Sequence, residues 1–178
     1  SNLSWKIAHC LKNNHSDKLL GTYQSERYSN VKEYIKTTAK MGEFVNAVGT
    51  SNITGKVSST PDGQKSMKSI KPKLGKGLGK VQDKNRGKIF PQFKIRNGKL
   101  LDDKFSLKPI LILSKEIKNN ISSKLNSIQS KNNKDLEKFF KSSNSKAIIV
   151  RPDRFILSSC KSVKDFKSYL NKNLSILV

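Results

Sequence analysis

The chain contains 178 residues, with 36 lysines and arginines against 13 aspartates and glutamates, which gives a net charge of +23. Such a charge attracts nucleic acid and other polyanions without specificity. The excess is almost entirely lysine, however, whereas base readout and bidentate phosphate contacts favour arginine. The composition therefore predicts no more than non-specific binding of nucleic acid.

The composition also argues against a membrane span and a metal site. No apolar stretch approaches the ~18 residues that a transmembrane helix needs, and no signal peptide is visible. Cys10 and Cys160 are isolated from each other, and His9 and His15 are the only histidines, so no zinc-binding spacing is present. We expect a cytoplasmic protein of one domain or two small ones that binds no metal.

The first 48 residues predict a helical hairpin. Apolar residues recur at helical spacing in the first helix or lie beside that stripe, namely Leu3, Trp5, Ile7, Ala8 and Leu11. Asn13-Asn14 ends this helix, and either Ser16 or Asp17 is suited to cap the next one. The stripe of the second helix comprises Leu20, Tyr23, Arg27, Val31 and Ile35 and continues towards Phe44. Two helices alone cannot bury these stripes, so we expect either a helical subdomain or a piece of a larger domain that is missing on its N-terminal side.

Residues 49–88 have a different composition, rich in Gly, Ser, Thr, Pro and Lys, and show no hydrophobic period. This predicts a linker or an arm laid over a surface. Within it, the stretch GKGLGKV invites comparison with a phosphate-binding loop. Three residues rather than four separate Gly75 from Gly79, and Val81 follows Lys80 where Ser or Thr is required. We therefore expect no nucleotide site here.

Residues 89–178 alternate between strand and helix signals. Phe90 to Ile95 followed by Asn97-Gly98 predicts a β-hairpin, and Pro109 to Leu113 is a continuous apolar run. Three helices are predicted here. The apolar spacing of Ile117, Ile121, Leu125 and Ile128 indicates the first, and residues Asp135 to Lys141 form the second. The spacing of Val163, Phe166, Leu170, Leu174 and Leu177 indicates the third. We expect a small α/β fold, with α+β as the alternative, in which helices cover a sheet.

The central feature of this region is the stretch from Ala147 to Leu157. Two apolar runs suited to buried strands flank Arg151-Pro152-Asp153, and Pro152 interrupts the ladder because it has no N–H. Arg151 and Arg154 are candidates for binding an anion or a partner domain. The alternative, which we favour, pairs Arg151 with Asp153 or another carboxylate near the kink. Asp102-Asp103 is better explained by a turn than by a metal site.

The sequence contains three segments, NLSWKIA at 2–8, LLGTYQSER at 19–27 and RPDRF at 151–155. In this order they resemble parts of the class A FAD-dependent aromatic hydroxylases, most closely those of the 3-(3-hydroxyphenyl)propionate hydroxylase type. Asn2 to Ala8 (NLSWKIA) resembles the NLxWKLA helix that closes the flavin domain. Leu19 to Arg27 (LLGTYQSER) resembles the LLdsYexER segment that follows it, although Tyr28-Ser29 replaces the usual proline. Arg151 to Phe155 (RPDRF) resembles the RPD strand of the thioredoxin-like C-terminal domain, here shortened between Leu113 and Ala147.

The resemblance implies the C-terminal part of an enzyme that uses FAD and NAD(P)H to hydroxylate a phenolic compound. It divides the chain into the last helices of an FAD-binding domain (1–48), a linker or arm (49–88) and a degenerate thioredoxin-like domain (89–178). The dinucleotide-binding motifs of the family have no counterpart here, so we expect no catalytic residue in this chain and no FAD bound by the fragment alone. By position only, Asn2 would lie nearest the flavin, with helix capping as the alternative role.

Two other functions stay open. A lysine-rich nucleic-acid-binding protein would use residues 49–99 as a basic arm and would lose affinity steeply with salt. The other is a small standalone interaction domain. The unburied apolar stripes argue against it, because an isolated hairpin that exposes them would tend to associate. Homodimerisation is not decided by the sequence.

Overall fold

The structure is a computed structural model, and it describes residues 2–13, 18–53, 70–79, 82–94, 98–104, 108–117, 125–131, 133–162, 164–166 and 168–169. It shows an α+β arrangement, in which an N-terminal helical hairpin precedes a small mixed sheet. The hairpin consists of α1 (Asn2–Asn13) and α2 (Lys18–Ile53). Although α2 has 36 residues, neither it nor another helix in the described ranges has an apolar stretch long enough to cross a membrane.

The buried face of α1 differs from the one that the sequence predicts. Its buried residues are Asn2, Trp5, Lys6 and His9, whereas Leu3, Ile7 and Leu11 are 38%, 41% and 81% exposed. The helix therefore turns a largely polar face inwards and an apolar stripe outwards. Grouping Trp5 with Leu3, Ile7 and Leu11 on one face was wrong, because i, i+3 and i+4 spacing places Trp5 on the side of Asn2 and His9. The unburied stripe itself is confirmed.

The sheet has four strands in the order β2-β1-β3-β4, namely β1 (Ile110–Leu113), β2 (Asn126–Gln129), β3 (Ala147–Val150) and β4 (Ile156–Cys160). β1 and β2 are parallel, whereas β3 is antiparallel to both of its neighbours. Every residue of β1 and β3 is buried, as the continuous apolar runs predict for strands covered on both faces.

Each face of the sheet has its own core. On one face α3 (Lys134–Ser143) inserts Leu136 and Phe140 against alternate residues of β1 and β3. On the other face Phe166 and Tyr169, from a described helical piece near the C-terminal end, pack against the intervening residues. Asn133 caps α3 by accepting a hydrogen bond from the N–H of Leu136, at 3.0 Å. Helices thus cover both faces of the described sheet.

The predicted arrangement of strand, kink and strand from Ala147 to Leu157 is confirmed. Arg151 and Arg154 form a tight turn around Pro152, with the Arg154 N–H bonded to the Arg151 carbonyl at 2.9 Å. Arg154 has a positive φ of 68°, and the register between β3 and β4 shifts at Ile149/Val150. The turn directs the side chains of Arg151 and Asp153 away from the strand ladder.

Other sequence predictions had mixed outcomes. The helix from Asp135 to Lys141 is confirmed as α3, but the helix over Ile117 to Ile128 was wrong where it is described, because 126–129 pair with β1 as strand β2. Of the hairpin predicted around Asn97-Gly98, the described residues show an antiparallel bridge between Lys94 and Leu100. Several predictions lie outside the described residues, namely those for Asn97, for the caps Ser16 and Asp17, for Ile121, and for Val163, Leu170, Leu174 and Leu177 of the last helix.

Candidate functional site

The three segments that carry the sequence resemblance meet in one buried charged cluster, formed by Asn2, Lys6, Glu26, Arg151 and Asp153. Glu26, on α2, lies at its centre with a fully buried side chain. Its Oε2 accepts hydrogen bonds from Lys6 Nζ at 2.9 Å and Asn2 Nδ2 at 3.1 Å. Its Oε1 accepts from Arg151 Nη1 and from the N–H of Leu78, both at 2.9 Å.

Arg151 links this carboxylate to a second one. Its Nε and Nη2 donate to the two oxygens of Asp153 at 3.0 and 2.7 Å, the bidentate geometry that a guanidinium favours. The guanidinium carbon also lies 5.1 Å from the centre of the Trp5 ring, a cation–π distance. Arg151 is 2% exposed. The preferred sequence interpretation, a structural pairing of Arg151 with carboxylates near the kink, is confirmed.

Local sequence explains how these side chains reach one point. Asn2 and Lys6 are four residues apart and therefore share one face of α1, the face that packs against α2. Arg151 directly follows β3 and directly precedes Pro152, so the strand ends at the residue whose side chain must turn towards the hairpin. The amide of Asn2 donates to Asp153 Oδ2 at 2.9 Å as well as to Glu26. Asn2 therefore bridges the two carboxylates.

The glycine stretch from Gly75 to Gly79 lies against this cluster. The N–H of Gly75 donates to the Glu26 carbonyl at 2.8 Å. A β-carbon on Gly77 would lie 2.3 Å from Glu26 Cγ, and one on Gly79, whose φ is +93°, would lie 2.1 Å from the Leu157 carbonyl oxygen. These glycines allow the chain to pass closely between α2 and β4. Their role is packing, in agreement with the failed match to a phosphate loop.

Charge balance in the cluster determines what it can do chemically. Two cations and two carboxylates make it neutral, and all four lone-pair positions of the Glu26 carboxylate are occupied. Burial would raise the pKa of Glu26, but the charges and hydrogen bonds of Arg151 and Lys6 outweigh burial and lower that pKa to about 2. For Lys6, burial has the largest influence and lowers the pKa, and the hydrogen bond and charge of Glu26 oppose this change without reversing it. A saturated carboxylate of this kind is not a general base.

The described residues do not fit a flavin cradle by themselves. The glycine stretch is occupied by Glu26 and Leu157, and the amide nitrogen of Asn2 is occupied by carboxylates. Within the described part of the chain, Asn2 Oδ1 and Trp5 Nε1 are buried without a hydrogen-bond partner. The same ranges contain no group of three or more His, Cys, Asp or Glu side chains that could hold a metal ion. Arg154, the other candidate, pairs with Asp102 at 3.0 Å.

Sequence reasoning singled out Asn2 and Arg151 but missed Lys6 and Glu26 as members of one site. Hydrophobic periodicity cannot find them, since it marks polar positions as exposed. The available signal was that both residues lie inside the segments that resemble the hydroxylases.

Comparison with known proteins finds a similar fold among solved structures. No protein-family model matches the sequence, and no curated protein matches it. The chain is similar to the solved structure described as "Native and K252c bound RebC-10x", with a TM-score of 0.57 and 13% sequence identity over 99% of this chain. The chain spans 38% of the length of that structure. At this identity the likeness shows a shared fold, which is that of one part of RebC.

Proposed function

We propose that this chain is the C-terminal part of a cytoplasmic FAD- and NAD(P)H-dependent monooxygenase that hydroxylates a phenolic or other aromatic compound. The observation that carries the proposal is the fold likeness to RebC, a FAD-dependent monooxygenase, over nearly the whole chain. The convergence of the three hydroxylase-like segments on Glu26 and Arg151 supports it independently. Flavin and nicotinamide would bind to a region outside these 178 residues.

Within this proposal the three parts of the chain have separate roles. Residues 1–48 are the last helices of the FAD-binding domain, and residues 89–178 are a degenerate thioredoxin-like domain. The parallel pair β1–β2, followed through α3 by the antiparallel strands β3 and β4, supports that second assignment. Residues 49–88 are the arm between them; α2 continues into its first residues as far as Ile53, and the described residues from 70 onwards pack on Glu26 and β4. The buried cluster then holds the two parts in one orientation.

The outward stripe of α1 is the proposed contact with the flavin-binding region. Leu3, Ile7 and Leu11 are exposed on α1, and Val31 and Ile35 on α2 are 38% and 63% exposed. Large apolar side chains left in water on two neighbouring helices are typical of an interaction surface. A second copy of this chain is the competing occupant.

The test is to express the full reading frame that contains these residues and to measure bound flavin and NAD(P)H oxidation with phenolic acids. We expect one FAD per chain, and substrate-stimulated oxidation, only when the flavin-binding region is present. Ile7→Lys should weaken flavin retention, whereas Leu100→Lys, at an equally exposed leucine in the other part of the fold (both 41%), should not. A frame without a flavin-binding region, or FAD binding by the 178-residue chain alone, would contradict the proposal.

If nucleic acid rather than flavin is the partner, the same protein should bind oligonucleotides with a defined site size and a steep salt dependence. Weak binding without saturation is what the lysine excess alone predicts.

A further inference from the structure

A second concave site lies at the edge of the sheet opposite the charged cluster, at the other end of β3. It is a cavity of about 210 Å³. Ser114 directly follows β1, Ser130 directly follows β2, Lys146 directly precedes β3 and Lys161 directly follows β4. The pairing of Leu113 with Gln129 and with Ala147 brings these residues to one edge. Lys141, near the end of α3, also lines the cavity.

Lysine dominates the electrostatics of this cavity. Four lysines and two glutamates line it, which gives a net charge of +2: Lys115, Lys141, Lys146, Lys161, Glu116 and Glu137. Lys146 pairs with Glu116 at 2.6 Å and Lys115 pairs with Glu137 at 3.3 Å, but both lysines are more than half exposed and such pairs are weak. The described part of the chain offers no carboxylate partner to Lys141 or Lys161. Two ammonium groups are therefore available to a ligand.

Two serine hydroxyls beneath the cavity lack partners. Ser114 is 7% exposed and Ser130 is 0% exposed, and neither Oγ has a hydrogen-bond partner among the described residues. Their backbone N–H groups are satisfied, by the carbonyls of Lys146 at 2.9 Å and Leu113 at 2.8 Å. A buried hydroxyl without a partner is unfavourable and uncommon in folded proteins. A ligand oxygen in the cavity would supply the missing acceptor.

The end of α3 does not oppose a negative ligand as strongly as a bare helix terminus would. The last carbonyls of a helix carry partial negative charge. Here the carbonyls of Lys141 and Phe140 accept hydrogen bonds from the N–H groups of Asn144 and Ser145, both at 3.2 Å. Asn144 adopts the left-handed conformation, with a φ of 49°, that makes this cap.

We propose that this cavity binds a small oxyanion of the phosphate or carboxylate type. The unpaired lysines supply charge and the serines supply hydroxyl donors. The volume is below the ~300–1,000 Å³ of pockets for drug-sized ligands, so the ligand is smaller than a nucleotide. In open α/β sheets ligands commonly bind in crevices beyond the carboxyl ends of parallel strands, and this cavity lies at the carboxyl ends of the parallel pair β1 and β2. The site lies away from the charged cluster and does not depend on the flavin-related function.

The test is an NMR titration of the 178-residue chain with inorganic phosphate and, separately, with acetate, at an ionic strength held constant with chloride. We expect saturable shifts confined to the amides around Ser114, Ser130, Lys146 and Lys161. The anion that saturates at the lower concentration identifies the ligand type. Constant ionic strength separates this binding from the general attraction of a chain with a net charge of +23.

Matched variants make the result decisive. Lys141→Gln and Lys161→Gln should each weaken binding by about five- to tenfold, as loss of a charge-assisted contact does. Lys138→Gln removes the same charge from an exposed position of α3 that does not line the cavity, and should change binding by less than about twofold.

Ser114→Ala and Ser130→Ala should weaken binding without loss of stability, because the hydroxyls that they remove have no hydrogen-bond partner among the described residues. Unchanged urea midpoints in these variants would show that a loss of binding is not caused by unfolding. Non-saturating shifts spread over many lysines, an equal loss in Lys138→Gln, or no binding of either anion would overturn the proposal.

Discussion

Replacing Glu26 with glutamine tests the role of the buried cluster most directly. The substitution preserves shape and removes the one carboxylate shared by Lys6 and Arg151. Arg151 would keep Asp153, but Lys6 would keep only the hydroxyl of Thr22, at 2.7 Å. Each oxygen of Glu26 now accepts from two donors, so either orientation of the new amide would place its NH2 group against two donors. A buried charge would thus lose its partner.

Two independent arguments give the size of the effect. Removing one partner of a buried ion pair typically lowers the free energy of unfolding by ~3–5 kcal/mol. The fall in the pKa of Glu26 from 4.5 to about 2 corresponds to roughly 3 kcal/mol of stabilisation of the folded state at neutral pH. We therefore expect Glu26→Gln to lose about 3 kcal/mol, a large part of the ~5–15 kcal/mol that typically stabilises a domain.

Urea unfolding at neutral pH measures this loss. Trp5 is the only tryptophan and contacts Arg151, so its fluorescence reports on the cluster while circular dichroism reports on the helices. Glu33→Gln is the matched control: Glu33 also lies on α2, but its 3.6 Å pair with Lys36 is more than half exposed. The control should change stability by less than about 0.5 kcal/mol. A loss below about 1 kcal/mol in Glu26→Gln, or equal losses in the two variants, would refute the reasoning.

Three further predictions follow from the same geometry. The folded-state pKa of Glu26 lies below its ordinary value, so its stabilisation is present above about pH 4.5 and is lost as the pH falls towards 2; unfolding measured across this range should show a component that Glu26→Gln lacks. Gly77→Ala should lower the free energy of unfolding by ~1–3 kcal/mol because its β-carbon would overlap Glu26. Gly21→Ala, on α2, should raise the free energy of unfolding by ~0.5–1 kcal/mol, because alanine favours a helix and the added β-carbon would meet no neighbouring part of the described structure within 4 Å. Effects of opposite sign in the two glycine variants would support the argument. Asn133→Ala should lower the free energy of unfolding by ~1 kcal/mol by removing the cap of α3, and unchanged urea midpoints would contradict that contribution.

The parts of the fold that could be predicted from sequence are those with a strong hydrophobic signal. The runs Ile110–Leu113 and Ala147–Val150 form the two central strands because each is buried on both faces. Leu136 and Phe140 mark α3 because their four-residue spacing places both on its buried face. Pro152 marks the kink for a stereochemical reason that holds in any context.

The failures arose where tertiary pairing rather than local pattern decides the structure. Leu125 and Ile128 suit a helical period, yet residues 126–129 form β2 because their backbone completes the ladder on the free edge of β1. The strand is only partly buried, so its sequence has neither an apolar run nor a clear alternation from which a strand could be predicted. The cluster was hidden for a related reason: Glu26 and Arg151 are 125 positions apart, and nothing in local spacing connects them.

The cluster is better understood as a device for orientation than as a large source of stability. Burying two cations and two carboxylates carries a desolvation cost, and well-packed apolar residues often replace such groups without loss. Its distinctive property is that only one placement of the hairpin on the sheet gives Lys6, Glu26 and Arg151 their partners. A rotated or shifted hairpin would leave buried charges unpaired, and that penalty excludes the alternatives. Fixing α1 in this way also fixes the direction of Leu3, Ile7 and Leu11, which point outwards because the polar face of the same helix is held inside. The polar contacts between hairpin and sheet therefore determine where the apolar surface proposed to meet the flavin-binding region is presented.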